Sequence, residues 1–122
     1  MAGLGGSTLS REAREAVFEA LADDHRRVIL DRLRVRNGLT LTELCDKQEI
    51  TRQAVTKHLK ILEAANLVLS LRRGRTRVHY LNPVPIHAIA MRWLKQFDAV
   101  KLDALFSAAS EPQPIYERER QN

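Results

Sequence analysis

Residues 50–68, ITRQAVTKHLKILEAANLV, constrain this chain more than any other stretch. Set on a helix at about 100° per residue, Ala54, Val55, Leu59, Ile61, Leu62 and Ala65 share one arc. Gln53, Thr56, Lys57 and Lys60 share the opposite arc, with Arg52 and Glu63 at its edges. Thr51 suits the N-cap, Asn66 suits the left-handed position after the last turn, and Leu67 can fold back onto that turn. Such a helix must bury one face in a core. Its other face is strange for a merely solvated surface, which mixes both signs of charge, because Glu63 is the only acid set against three bases.

That imbalance accounts for the charge of the whole chain. Residues 50–81 carry seven basic side chains and one acid, and the other 90 carry 13 basic and 14 acidic groups. The net charge of +5 is therefore local, and a local basic field calls for a polyanionic partner. With 122 residues, 44% of them hydrophobic but only 5% aromatic, one small domain with an aliphatic core is expected. The N-terminus has no basic segment followed by an apolar run, and no stretch has the roughly 18 apolar residues of a membrane span. The single cysteine, Cys45, excludes an intrachain disulfide and suits a reducing compartment, so a cytoplasmic protein is expected.

Along the chain, residues 1–9 read as a flexible tail, 10–106 as one domain and 107–122 as a Pro-broken, charged tail. Ser10 caps a first helix to about Ala22, with Ala13, Ala16, Val17, Ala20 and Leu21 on one face. Asp23 or Asp24 caps a second helix that turns Val28, Ile29, Leu30 and Leu33 inward and ends at Asn37-Gly38. Thr40-x-x-Glu43 is a capping box opening a short third helix, LTELCDKQ, and Thr51 opens the fourth. Leu67, Leu69 and Leu71 alternate as the inner face of a strand, Gly74 turns a hairpin, and Arg77 to Leu81 return. A final helix runs from about Pro85 to Phe106, with Ile86, Ile89, Trp93, Leu94, Phe97 and Val100 at helical spacing. The expected class is mainly α: four helices, a two-stranded hairpin, then a fifth helix. Arg72, Arg73, Arg75 and Arg77 crowd the hairpin tip, where packing has no use for them.

Helix-turn-helix, arginine-tipped hairpin and long helix together make a winged helix-turn-helix. The segments ALADDHRRVIL, LTELC, ITRQAVTKHLKILEAANLV and RRGRTRVHYLNP resemble the successive signatures of the ArsR-type (arsenical-resistance repressor) family. The resemblance spans about Leu21 to Leu94, with Asp24 where proline is usual and Asn66 where glycine is usual. It implies a homodimeric, mostly repressing regulator whose fourth helix enters the DNA major groove. Its DNA-contacting positions fall on Thr51, Arg52, Gln53, Thr56, Lys57 and Lys60, and on Arg73, Arg75 and Arg77 of the wing. Arg and Lys can donate to guanine, Gln can pair with adenine, and Lys60 and the wing arginines suit phosphates or a minor groove. Val17, Leu21, Ile89, Trp93, Leu94, Phe97 and Val100 form the expected dimer interface, because one small domain cannot cover the stripes of both its first and last helices. His58 lies in the apolar arc and reads as a hydrogen-bonded inner residue rather than a DNA contact.

Many members of that family sense metals, and no cofactor is expected here. One family site uses Cys-x-Cys, but this chain has Cys45-Asp46-Lys47. Another uses four ligands along the last helix, where this chain has Pro85, His87, Asp98 and Lys101, two of which cannot bind a metal. The chain is similar instead to a subgroup lacking the usual metal ligands, and it does not identify an effector. The competing readings are a winged-helix module that docks protein partners and an ArsR-type repressor with an atypical metal or small-molecule effector site. An enzyme is not expected: there is no Ser-His-Asp grouping, no paired carboxylates in a cleft pattern and no phosphate-binding glycine loop.

Overall fold

A computed structural model describes residues 9–46, 48–98 and 106–108, so nearly all of both expected tails lies outside it, as does Val100. The chain divides after Met91 into two units. The first contains helices α1 (Arg11–Leu21) and α2 (Asp24–Val35), strand β1 (Leu39–Thr40), and helices α3 (Leu41–Cys45) and α4 (Arg52–Ala64). Strands β2 (Val68–Arg73) and β3 (Thr76–Leu81) follow, and helix α5 (Val84–Asp98) begins in this unit. The sheet is antiparallel with order β1-β3-β2.

Each helix starts where a side chain can take up its free N–H groups. Ser10 Oγ accepts from Ala13 N at 3.1 Å, and Asp23 Oδ1 accepts from His25 N and Arg26 N at 2.8 and 3.2 Å. Partial burial pushes the Asp23 carboxyl up, but those two backbone donors, with Arg26 and His58 nearby, outweigh it and hold it below its ordinary value. At α3 the capping box closes both ways, with Thr40 N donating to Glu43 Oε1 at 2.9 Å and Glu43 N to Thr40 Oγ1 at 3.2 Å. The Thr40 donors hold the Glu43 carboxyl below its ordinary value.

The core is aliphatic. Val17, Ala20, Ile29, Leu33, Leu44, Val55, Leu62 and Leu67 are each fully enclosed, and Ile86 and Ile89 of α5 pack against them. Truncating Leu62 to Ala is expected to cost about 2–5 kcal/mol. Val28, expected inward, is 42% exposed, because it lies well off the arc shared by Ile29, Leu30 and Leu33.

Three further expectations are corrected. The sheet has three strands rather than two: Leu39 and Thr40 pair with His79 and Val78 before Thr40 turns to capping α3. Two residues are too few to show an alternation. The third helix stops at Cys45 instead of running on through Gln48, because Arg32 donates to its terminal carbonyls, Leu44 O and Glu43 O, both at 2.8 Å. The wing strand is also one residue out of phase with its expected faces. Leu67 is not in the strand; it closes α4, its N–H donating to Leu62 O at 2.9 Å while Asn66 N donates to Glu63 O. The inward side chains are therefore Val68 and Ser70, whereas Leu69 and Leu71 are 47% and 57% exposed.

The first half of α5 is aimed by Asn82. Its N–H donates to Leu67 O at 2.8 Å, its Nδ2 to Asn66 O at 2.8 Å, and its Oδ1 accepts from Val84 N at 3.2 Å. Ala88 is buried, and Pro85 sits in the first turn, where its missing N–H costs no helical bond. In the second unit, Trp93 and Phe97 pack edge to face with ring centroids 5.6 Å apart.

Asn66 is the only non-glycine residue with positive φ among those described, at +64°. A β-carbon other than that of Asn or Asp is strained there, by about 1–2 kcal/mol. Asn66→Ala is expected to lower stability by about 1 kcal/mol in urea denaturation, whereas Asn66→Gly leaves it unchanged or raises it. Equal losses in both variants would show that the side chain, not the backbone angle, matters.

Candidate nucleic-acid interface

The first four helices pack so that one side of α4 faces the core and the other faces out. Thr51 Oγ1 accepts from Ala54 N at 3.0 Å, so its hydroxyl works first as the N-cap. Beyond the cap, Arg52, Gln53, Lys57, Lys60 and Glu63 are exposed, while Thr56, expected on the same outer arc, is half-buried. Arg52 Nη1 donates to Thr42 Oγ1 of α3 at 3.2 Å. Thr42 was not among the expected residues, since its role depends on how α3 and α4 meet, which spacing does not encode.

The wing sits beside this face. Residues Arg73 and Thr76 pair across its tip, leaving Gly74 (φ +61°) and Arg75 as a two-residue turn. Arg73, Arg75 and Arg77 are all exposed. Arg77 stands directly opposite Arg72 in the ladder, and like charges at that spacing repel. At the wing's root, Ser70 Oγ donates to Glu63 Oε2 at 3.0 Å, tying β2 to the last turn of α4. His79 of β3, also unforeseen, is 4% exposed, and its Nδ1 donates to Leu39 O at 3.0 Å.

His58 and Arg26 buttress the inner side of α4. Arg26 Nε donates to Ala20 O at 2.8 Å and Nη2 to Glu19 O at 3.1 Å, while Nη1 lies 3.1 Å from His58 Nδ1. A guanidinium can only donate, so Nδ1 accepts and the neutral ring carries its proton on Nε2, 4.0 Å from Asp23 Oδ1. Burial lowers the His58 pKa; Asp23 opposes that shift, and Arg26, His25 and Lys57 add to it. His58 is thus an inner, hydrogen-bonded residue.

The expected dimer residues divide. Val17 is 1% exposed, enclosed within its own subunit, because the core-facing arc of α1 runs through Val17 and Ala20; Phe18 beside it is 47% exposed. Leu21 and Ile89 are half-buried against the core. In the second unit Trp93, Leu94 and Phe97 are each more than half exposed. Cys45 is free and half-buried. Among the described residues, no three His, Cys, Asp or Glu side chains gather as metal ligands, and no helix is long and apolar enough to cross a membrane.

Known proteins share this arrangement. A helix-turn-helix domain family matches residues 21–70. The chain is 44% identical over 88 residues to the uncharacterized HTH-type transcriptional regulator YuzN of Bacillus subtilis, covering 67% of this chain and 96% of that protein. An ArsR-like transcriptional regulator from Rhodococcus sp. RHA1 superposes with a TM-score of 0.63 at 28% identity, covering 85% of this chain and 96% of its own. A homodimeric winged helix-turn-helix DNA-binding domain from Mycobacterium bovis shares the fold at a TM-score of 0.57 and 18% identity, covering 72% of this chain and 82% of its own.

The buttress can be tested without DNA. Because the folded-state pKa of His58 lies below its usual value of 6.5, the unfolded chain binds the extra proton first. The stabilisation is complete above that value and is lost as pH falls through the lowered one. Urea midpoints are expected to fall between about pH 7 and pH 5, and His58→Gln is expected to make that fall shallower. An unchanged pH slope in the variant would assign the effect to other groups.

Proposed function

This chain belongs to the ArsR-type family of winged helix-turn-helix transcriptional regulators, and from that premise we propose that it is a homodimeric, cytoplasmic repressor that reads duplex DNA with the outer face of α4. The observation that carries this reading is the one-signed surface of α4 and the wing. Arg52, Gln53, Thr56, Lys57 and Lys60 stand on one rigid helix, and Arg73, Arg75 and Arg77 stand beside them. On DNA the missing counter-charges are phosphates. In this reading Arg52, Gln53 and Lys57 reach base edges, and their support is that Arg52 is steadied by Thr42 and Thr51 holds the end of the helix. Lys60 and the wing arginines serve the backbone.

Dimerisation rests on α5. In the second unit Trp93, Leu94 and Phe97 offer an apolar strip that a second copy would cover. In the first unit the half-buried Leu21 and Ile89 are further candidates, and the exposed Phe18 replaces the enclosed Val17. That the Mycobacterium bovis domain of the same fold is homodimeric supports a dimer. The reading includes no family-type metal site and no catalytic activity, and it names no effector.

A second reading has one observation in its favour. Leu69 and Leu71 are exposed on the side of the wing away from the core, where a protein partner could dock.

Selecting bound sequences from a random duplex library tests the reading and supplies the operator. Affinity is expected to fall about a thousand-fold or more between roughly 50 and 200 mM salt. Salt-independent binding would favour protein docking instead. Gln53→Ala is expected to cost about 1–3 kcal/mol on the operator and little on random DNA, while Arg75→Ala weakens both. Equal losses for Gln53→Ala on both duplexes would remove α4 as the reading element. Light scattering is expected to give twice the 13.9 kDa chain mass, and a mass of one chain at micromolar concentration would reject the dimer.

A further inference from the structure

Between the outer face of α4 and strand β3 lies a cleft of about 380 Å³. Thr56, Lys60 and Glu63 form its α4 wall and Arg77 and His79 its β3 wall, over an apolar floor of Leu41 and Leu59. The two cations therefore face the same space from two separate elements. Among the described residues, neither Lys60 nor Arg77 has an ion-pair partner. Glu63, the one acid available, is engaged by Ser70 Oγ at 3.0 Å instead. Arg77 is also pressed by Arg72 directly across the ladder, a repulsion that an anion in the cleft would relieve.

The charge count narrows the class of anion. Lys60 and Arg77 contribute two positive charges and Glu63 one negative, a net +1 from these three. A backbone phosphodiester carries one negative charge and balances this. A terminal or free phosphate carries about −1.5 to −2 at neutral pH and would also face Glu63. Thr56 can add a hydroxyl donor.

We propose that this cleft seats one backbone phosphodiester of duplex DNA, clamped by Lys60 from α4 and Arg77 from β3. The proposal rests on the DNA-binding reading and deepens it: the clamped linkage joins the groove read by α4 to the stretch of backbone reached by the wing. It also gives Ser70 a positioning role, since holding Glu63 at the wing's root keeps that carboxylate off Lys60.

The test uses the full-length chain with Lys60→Ala, Arg77→Ala and the double substitution, all at exposed sites where melting temperature is expected to hold. If both residues meet one phosphate, the double variant loses about one unit of log–log salt slope per subunit on random duplex, and each single variant loses less. A loss of about two units per subunit would mean two separate phosphates and would overturn the clamp. On the selected operator, replacing linkages one at a time with neutral methylphosphonate is expected to reveal one position per half-site that weakens the wild type but not the double variant. Both single variants should lose sensitivity at that same linkage; loss at two different linkages rejects the proposal. Inorganic phosphate at constant ionic strength is expected not to displace DNA from the wild type, but to begin competing in Glu63→Gln. Displacement from the wild type that requires Lys60 and Arg77 would make the cleft a site for a different anion. Failure of the wild type to bind any duplex would instead overturn the DNA reading, and the clamp with it.

Discussion

One guanidinium holds α4 in place. Arg26 occupies the junction where α1 ends, α2 begins and α4 passes beneath. At the end of α1, Arg26 donates to Ala20 O and also to Glu19 O, which it shares with the N–H of the capping Ala22. The same group then reaches across to His58. A charged side chain committed to several fixed acceptors loses its rotamer freedom once and orders three elements together. The aliphatic core supplies the bulk of the stability but little direction, since leucines tolerate sliding. Arg26 supplies the direction, and with it the angle at which the outer face of α4 meets the solvent.

Much of this fold was legible from residues alone because the relevant signals are local. Ser10, Asp23, Thr40 and Thr51 all cap helices, as their short polar side chains ahead of apolar runs require. Asn66 adopts the left-handed angle expected of it. What was not legible depends on neighbours distant in sequence. Strand β1 exists only because β3 comes back to pair with it. The phase of β2 is not legible in the sequence because Leu67, a plausible strand residue, belongs to the helix end instead. Val17 looked like surface because a helical stripe does not say whether its cover is the same chain or another.

The candidate interface divides along the same line. Periodicity put Gln53, Lys57 and Lys60 outside, and the turn chemistry of Gly74 put the arginines at a hairpin tip. The residues that arrange those groups carry no such local signal. Thr42, Ser70 and His79 are unremarkable in the sequence, and each acts through a contact between elements. Side chains that touch a partner repeat along one element, whereas those that aim them are scattered and become visible only in three dimensions.

The wing runs in unbroken register from Val68 opposite Leu81 to Arg73 opposite Thr76, and closes with only Gly74 and Arg75. Among the described residues, nothing lies within 4 Å of the space a β-carbon on Gly74 would fill. The tip is therefore an open end of the architecture, and in evolutionary terms it can lengthen without disturbing anything beneath it. The two-residue pleat sets the increment: one residue added to each strand leaves every lower pair intact and moves the tip outward by about 3.4 Å, with the new tip pair on the opposite face. Two residues added to each strand restore the original facing. Reach along a bound polymer and the facing of the tip arginines are thus inherited together, in discrete steps, from a hairpin that can drift while the core stays still.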